Sequence, residues 1–160
     1  MGDTDGMTSP QELQDDLTAA IRARDELRAA TIRMVLAALA VERTAGTVAR
    51  DLTDEDVQLV LRKEAKKRRE AAAAFDAAGR HELAERERAE EQVLADYLPA
   101  PLDDAAVARI VEAAVEAAAL DGATGPSAMG AVMRRVQAEV AGRADGRAVA
   151  EAVRARLTQS

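Results

Sequence analysis

Between positions 142 and 147 the chain reads GRADGR and then runs into AVAEAVRARL. Two glycines four apart are each followed by arginine, and Asp145 stands just before the second glycine. Arginine carries a permanent charge and a fixed fork of N–H donors that suits phosphate. Glycine lets a backbone pass close to a sugar-phosphate chain. Arg143 and Arg147, flanked upstream by Arg134 and Arg135, are therefore candidate phosphate contacts. The same turn has a purely structural use: Gly142 ends one helix and Asp145 caps the next. Gly130, Gly142, Asp145 and Gly146 are assigned to turn geometry and capping. Amides at the start of the last helix are a further place for an anion, which Asp145 would oppose. The residues alone leave both readings open.

A second basic stretch holds Arg62, Lys63, Lys66, Lys67 and Arg69. On a helix these wrap over two turns, so no single ligand meets all of them. Lys63 and Lys67 share one face, and Arg62, Lys66 and Arg69 another. Glu64 and Glu70 dilute the charge, which favours a solvated or internally paired face, with an anion-facing patch as the alternative.

No other chemistry stands out. His81 is the single histidine and there is no cysteine, so thiol catalysis, disulfides and thiolate-bound zinc are excluded, and the recurring His-rich zinc sites cannot be built. His81 follows a helix-ending glycine and reads as a cap or surface residue. Neither a nucleophile elbow nor a phosphate-binding P-loop occurs. No catalytic residue, metal or cofactor is assigned, and Glu87, Glu90 and Glu91 read as a solvated face.

The elements that must position these residues follow from composition. About a quarter of the chain is alanine, and the aromatics are only Phe75 and Tyr97, so a helical chain is expected rather than a strand-rich one. Ser9 with Pro10 and Glu12 starts a helix carrying Leu13, Leu17 and Ile21 as one apolar stripe. A break is expected near Arg24 and Asp25, then a helix to about Arg43. Thr53 opens a third helix that ends before Gly79, and a fourth runs from about His81 to Tyr97. Pro99 and Pro101 block a continuous helix and mark a boundary. Asp103 or Asp104 caps a fifth helix, Ser127 starts a sixth, and Val149, Val153 and Leu157 mark the last. The expected organisation is a disordered tail over 1–8, an N-terminal helical domain over 9–98, a linker over 99–102 and a C-terminal three-helix domain over 103–158. The net charge of −7 disfavours sequence-blind DNA binding and anionic membranes, and no sequence-specific DNA binding is expected. No apolar run approaches bilayer length and the first residues are unlike a signal peptide, so the cytoplasm is the expected compartment.

Several stretches in this order resemble the YqeY-like family: IRMVLAAL at 32–39, LTDEDV at 52–57, KEAKKRREA at 63–71, FDAAGRHELA at 75–84, the acidic pair at 90–91, YLP at 97–99, MGAVM at 129–133 and GRADGR at 142–147. The C-terminal part is similar to the tail of the B subunit of the aspartyl/glutamyl-tRNA amidotransferase. The resemblance implies an all-α fold with an N-terminal helical domain and a small three-helix C-terminal domain. It implies tRNA or another structured RNA as partner, since the related tail contacts tRNA while other parts of that complex transfer ammonia from glutamine. The ATP-using cradle and catalytic residues of the full subunit have no counterpart here, so the isolated chain is expected to be nonenzymatic. Position 147 has arginine where relatives commonly have lysine, and Ala128 stands where an acid is common. A helical protein-interaction adaptor and a component of a glutamine-dependent carbon-nitrogen ligase remain the alternatives.

Overall fold

The computed structural model describes residues 7–159, which form helices joined by turns, with no β-strand among them. The helices are α1 (Pro10–Arg22), α2 (Glu26–Arg43), α3 (Asp54–Ala77), α4 (His81–Ala95), α5 (Asp104–Leu120), α6 (Met129–Val140) and α7 (Gly146–Thr158), with a 3-10 turn at Pro126–Ala128. The chain divides into two compact units after Pro99. Of the tail expected over 1–8, residues 1–6 lie outside the described residues, and Thr8 is buried.

In the first unit, short polar side chains set the helix starts. Ser9 accepts the Glu12 N–H at 3.2 Å and Asp25 accepts the Arg28 N–H at 3.1 Å. Between them Arg24 adopts a left-handed conformation at φ 57°, which breaks α1 from α2. The α1 stripe does not run Leu13, Leu17, Ile21 as expected. Leu13 and Ala20 are buried and Ile21 is 50% exposed, because positions 13, 17 and 20 share the tighter arc of the helix. Leu13, Ile32, Val35, Leu39, Val57, Leu61 and Leu94 form the core.

The single tyrosine crosses this unit. The Tyr97 hydroxyl donates to Asp16 Oδ2 at 2.5 Å, and the Arg28 guanidinium stacks 5.6 Å from its ring centre. Burial and the bond to Asp16 push the phenol up to about 12. The far part of the α3–α4 hairpin has no fully buried large apolar side chain: Phe75 is half-buried and Leu83 is exposed. This part is closed on small Ala72 and Ala84 and on ion pairs. Arg68 lies 3.3 Å from Glu87 and 3.5 Å from Glu90, while Asp76 meets both Arg88 and His81. Arg88, then His81, hold the Asp76 carboxyl below its ordinary range.

Thr53 and Asp56 form a reciprocal capping box at the start of α3. Arg50 folds back from the preceding loop to Asp56 at 2.7 Å and Glu42 at 3.3 Å. The Arg50 guanidinium, then the Thr53 N–H, lower the Asp56 carboxyl from 3.8 to about 2. A depressed carboxylate stabilises the fold above its unfolded pKa and loses that contribution as pH falls through the folded one. The start of α3 should therefore loosen as pH falls from about 4 to about 2, seen as faster amide exchange at residues 54–57. Asp56→Asn should remove that pH dependence. An unchanged acid transition in the variant would assign it to other groups.

The second unit packs α5, α6 and α7 around Val111, Val115, Val132, Val136, Val140, Val149, Val153 and Leu157. Asp103, of the two expected aspartates, caps α5 by accepting the Ala106 N–H at 2.7 Å. Ser127 does not start α6. Gly125 sits at φ 66° and the chain first makes the 3-10 turn, with the Ser127 hydroxyl donating back to the Thr124 carbonyl at 3.1 Å. That donation turns the hydroxyl away from the helix, and α6 begins at Met129 with no side-chain cap. From α7 to α5, Arg156 grips Glu112 through Nε at 2.6 Å and Nη2 at 2.9 Å. This fork lowers the Glu112 carboxyl below its usual range.

Candidate nucleic-acid interface

The corner between α6 and α7 shows why the turn needs its residues. α6 ends at Val140, and Ala141 and Gly142 follow in left-handed conformations at φ 47° and 79°. This reversal lets the Arg143 N–H reach the Val140 carbonyl at 2.9 Å. Asp145 then accepts the Ala148 N–H at 3.2 Å and starts α7. Gly142→Ala should destabilise the unit by about 1–2 kcal/mol through the left-handed penalty. Ala141→Gly should be neutral or stabilising, and thermal melts of the two variants separate these signs.

Gly146 differs from Gly142. Its φ is not positive, and a Cβ built there would meet nothing within 4 Å. No packing demands a glycine at this position. The first-turn N–H groups of Gly146 and Arg147 have no acceptor among the described residues, since Asp145 takes the third.

The four candidate arginines separate into two kinds. Arg135 pairs with Asp121 at 2.8 Å. Arg143 is half-buried: its Nε donates to the Ala100 carbonyl at 3.0 Å, and its own carbonyl accepts the Leu102 N–H at 2.8 Å. It latches the 100–102 segment to the corner and leaves only its outer nitrogens for a ligand. Arg134 and Arg147 are exposed, and their side chains make no hydrogen bond or ion pair among the described residues. Arg134 folds back over Gly130, its Nη1 3.8 Å from where a Gly130 Cβ would stand. Neighbours on a helix point about 100° apart, so Arg134 and Arg135 cannot serve one ligand equally.

Arg154 escaped the reading of the sequence. It is exposed and unpaired among the described residues, and it lies seven positions beyond Arg147, on the same face of α7. That spacing was the available signal. Exposed Glu151 stands between them. From 129 to 159 there are six arginines and three acids, whereas 103–121 holds five acids and one arginine. Charge is thus segregated within a unit that is nearly neutral overall.

The stretch on α3 is arranged differently. Lys67 pairs with Glu64 at 3.1 Å, Arg69 with Glu91 at 3.1 Å, and Lys66 approaches Glu70 at 4.0 Å. Arg62 and Lys63 have no such partner among the described residues. Glu64 is buried beneath Lys67, whereas the other two pairs are more exposed and contribute little stability; all three occupy charge that a ligand would otherwise meet. Among the described residues no cluster of three or more ligating side chains could hold a metal, and no helix is long and apolar enough to cross a membrane.

The fold class is all-helical, with an arginine-bearing corner between the last two helices. A family model described as Yqey-like protein matches residues 10–157, and the chain belongs to that family. A comparison with curated proteins finds no match.

Proposed function

We propose that this protein is a nonenzymatic RNA-associated module whose α6–α7 corner contacts phosphates of a structured RNA, with tRNA the favoured class. One observation carries the reading: Arg134 and Arg147 are exposed and free of acidic partners, although the chain as a whole carries a net charge of −7. Unpaired arginines in an acid-rich chain need no competing carboxylate to be displaced before they take a phosphate. Arg154 extends the same face, and the unsubstituted backbone at Gly146 allows a sugar-phosphate chain to come close. The resemblance to the amidotransferase tail supplies tRNA as the class. With so few aromatics, recognition rests on phosphate and 2′-hydroxyl contacts rather than on stacked bases. The acidic total makes the binding weak unless a partner protein assists.

Crosslinking in cells, followed by sequencing of the recovered RNA and mass spectrometry of the recovered proteins, tests this. Recovery of tRNA crosslinked at α6 or α7 is expected. Recovery of proteins alone, unaffected by nuclease, would replace this reading with that of an adaptor.

A further inference from the structure

The outward face of α5 has a pattern that the RNA reading does not use. Val111, Ala114, Val115 and Ala118 point into the unit's own core. Away from that line, Ala106, Ile110, Ala113, Ala117 and Leu120 recur at spacings of four, three, four and three, with Ile110 at the edge and also packed against the core. Ala113 is exposed, and Leu120 is 90% exposed. The four residues from Ala106 to Ala117 line an open groove whose other wall is Arg135, Ala138 and Glu139 of α6. A four-three repeat is the seam by which one helix packs along another, and small residues let two backbones approach closely.

The charges beside the seam identify its occupant. Arg109 and Glu116 are both exposed and seven residues apart, so they hold equivalent places on one flank. Neither makes a salt bridge among the described residues, although Glu116 lies within the field of Arg156. Glu112, the other acid in this part of α5, is already held by Arg156. Let a second α5 lie antiparallel on the first, with the twofold axis at Ala113. Ala106 then faces Leu120, Ile110 comes within one residue of the level of Ala117, and Arg109 of each copy within one residue of the level of Glu116 of the other. The pairing occurs twice. A parallel arrangement would instead bring like charges to the same height.

We infer that the α5 face is a self-association surface that pairs two copies of this chain antiparallel through Ala113, with reciprocal Arg109–Glu116 ion pairs. Three of the five seam residues are alanine, so the buried area falls short of the roughly 800 Å² per partner of a stable complex. The dimer is therefore weak and concentration-dependent. It does not depend on RNA.

Sedimentation equilibrium of the nuclease-treated full chain, from about 10 μM to about 1 mM, covers the affinity that so small a contact supports. A monomer–dimer equilibrium is expected. Arg109→Glu and Glu116→Arg should each weaken it by about tenfold or more, because each creates two like-charge contacts. The double variant should return to within about twofold of the original, because the pairs re-form with their signs exchanged. A monomer at every concentration overturns the inference. So does a dimer indifferent to the single variants, or a double variant as weak as either single one.

Discussion

Leu157→Ala should unfold the second unit while leaving the first folded. Leu157 is 2% exposed and packs in a core built wholly from α5, α6, α7 and the turn before α6. Truncating a buried leucine costs about 2–5 kcal/mol. A single core in a unit this small supplies on the order of 3–5 kcal/mol, so the substitution removes most or all of its margin. Amides of α5, α6 and α7 should lose their slow exchange, while those near Leu13, Ile32 and Leu61 keep it, because that core contains no residue beyond Leu98. Loss of protection throughout the chain would mean that the two cores melt as one. No loss would mean that the C-terminal core is larger than its valines and single buried leucine suggest.

Arg134→Ala and Arg147→Ala together should have the largest effect on RNA affinity. A charge-assisted contact to phosphate contributes about 1.5–3 kcal/mol, so each arginine should account for about tenfold or more in binding. The comparison with Lys66, Lys67 and Arg69 decides whether this is site-specific. Those three already face Glu70, Glu64 and Glu91, and their removal should change affinity by less than about threefold, since their charge is already matched by these carboxylates. Arg135→Ala should also have a small effect, because Asp121 holds that side chain. If the α3 triple variant lost more than the corner variant, the RNA would lie on the first unit instead.

The helix starts were legible because they depend on local chemistry. Ser9, Thr53, Asp103 and Asp145 cap helices through contacts three residues away, and Asp25, read only as part of a break, does the same. Ser127 misled because Gly125 and Pro126 direct the chain into a 3-10 turn before α6, and its hydroxyl bonds backwards instead of capping. Ile21 misled because a four-residue repeat drifts around a 3.6-residue helix, and packing selected Ala20. In the candidate site, Gly142 and the Asp145 cap were visible for the same local reason, whereas Gly130 lies inside α6 and Gly146 has no positive φ. The fates of the arginines were not. Arg135 finds Asp121 only because α5 and α6 pack side by side, and Arg143 finds a carbonyl 43 positions earlier. Which arginines stay free is decided by tertiary contacts. Arg154 was the exception, since its two-turn spacing from Arg147 can be read directly.

The most direct test of the proposed RNA contact is the salt dependence of tRNA binding by the full chain, measured beside the Arg134→Ala/Arg147→Ala variant. Each lost phosphate contact should lower the slope of log K against log salt by about one, so the two lines should differ in slope by about two and converge as salt rises. Parallel lines of equal affinity would mean that neither arginine touches the RNA, and would contradict the proposed interface.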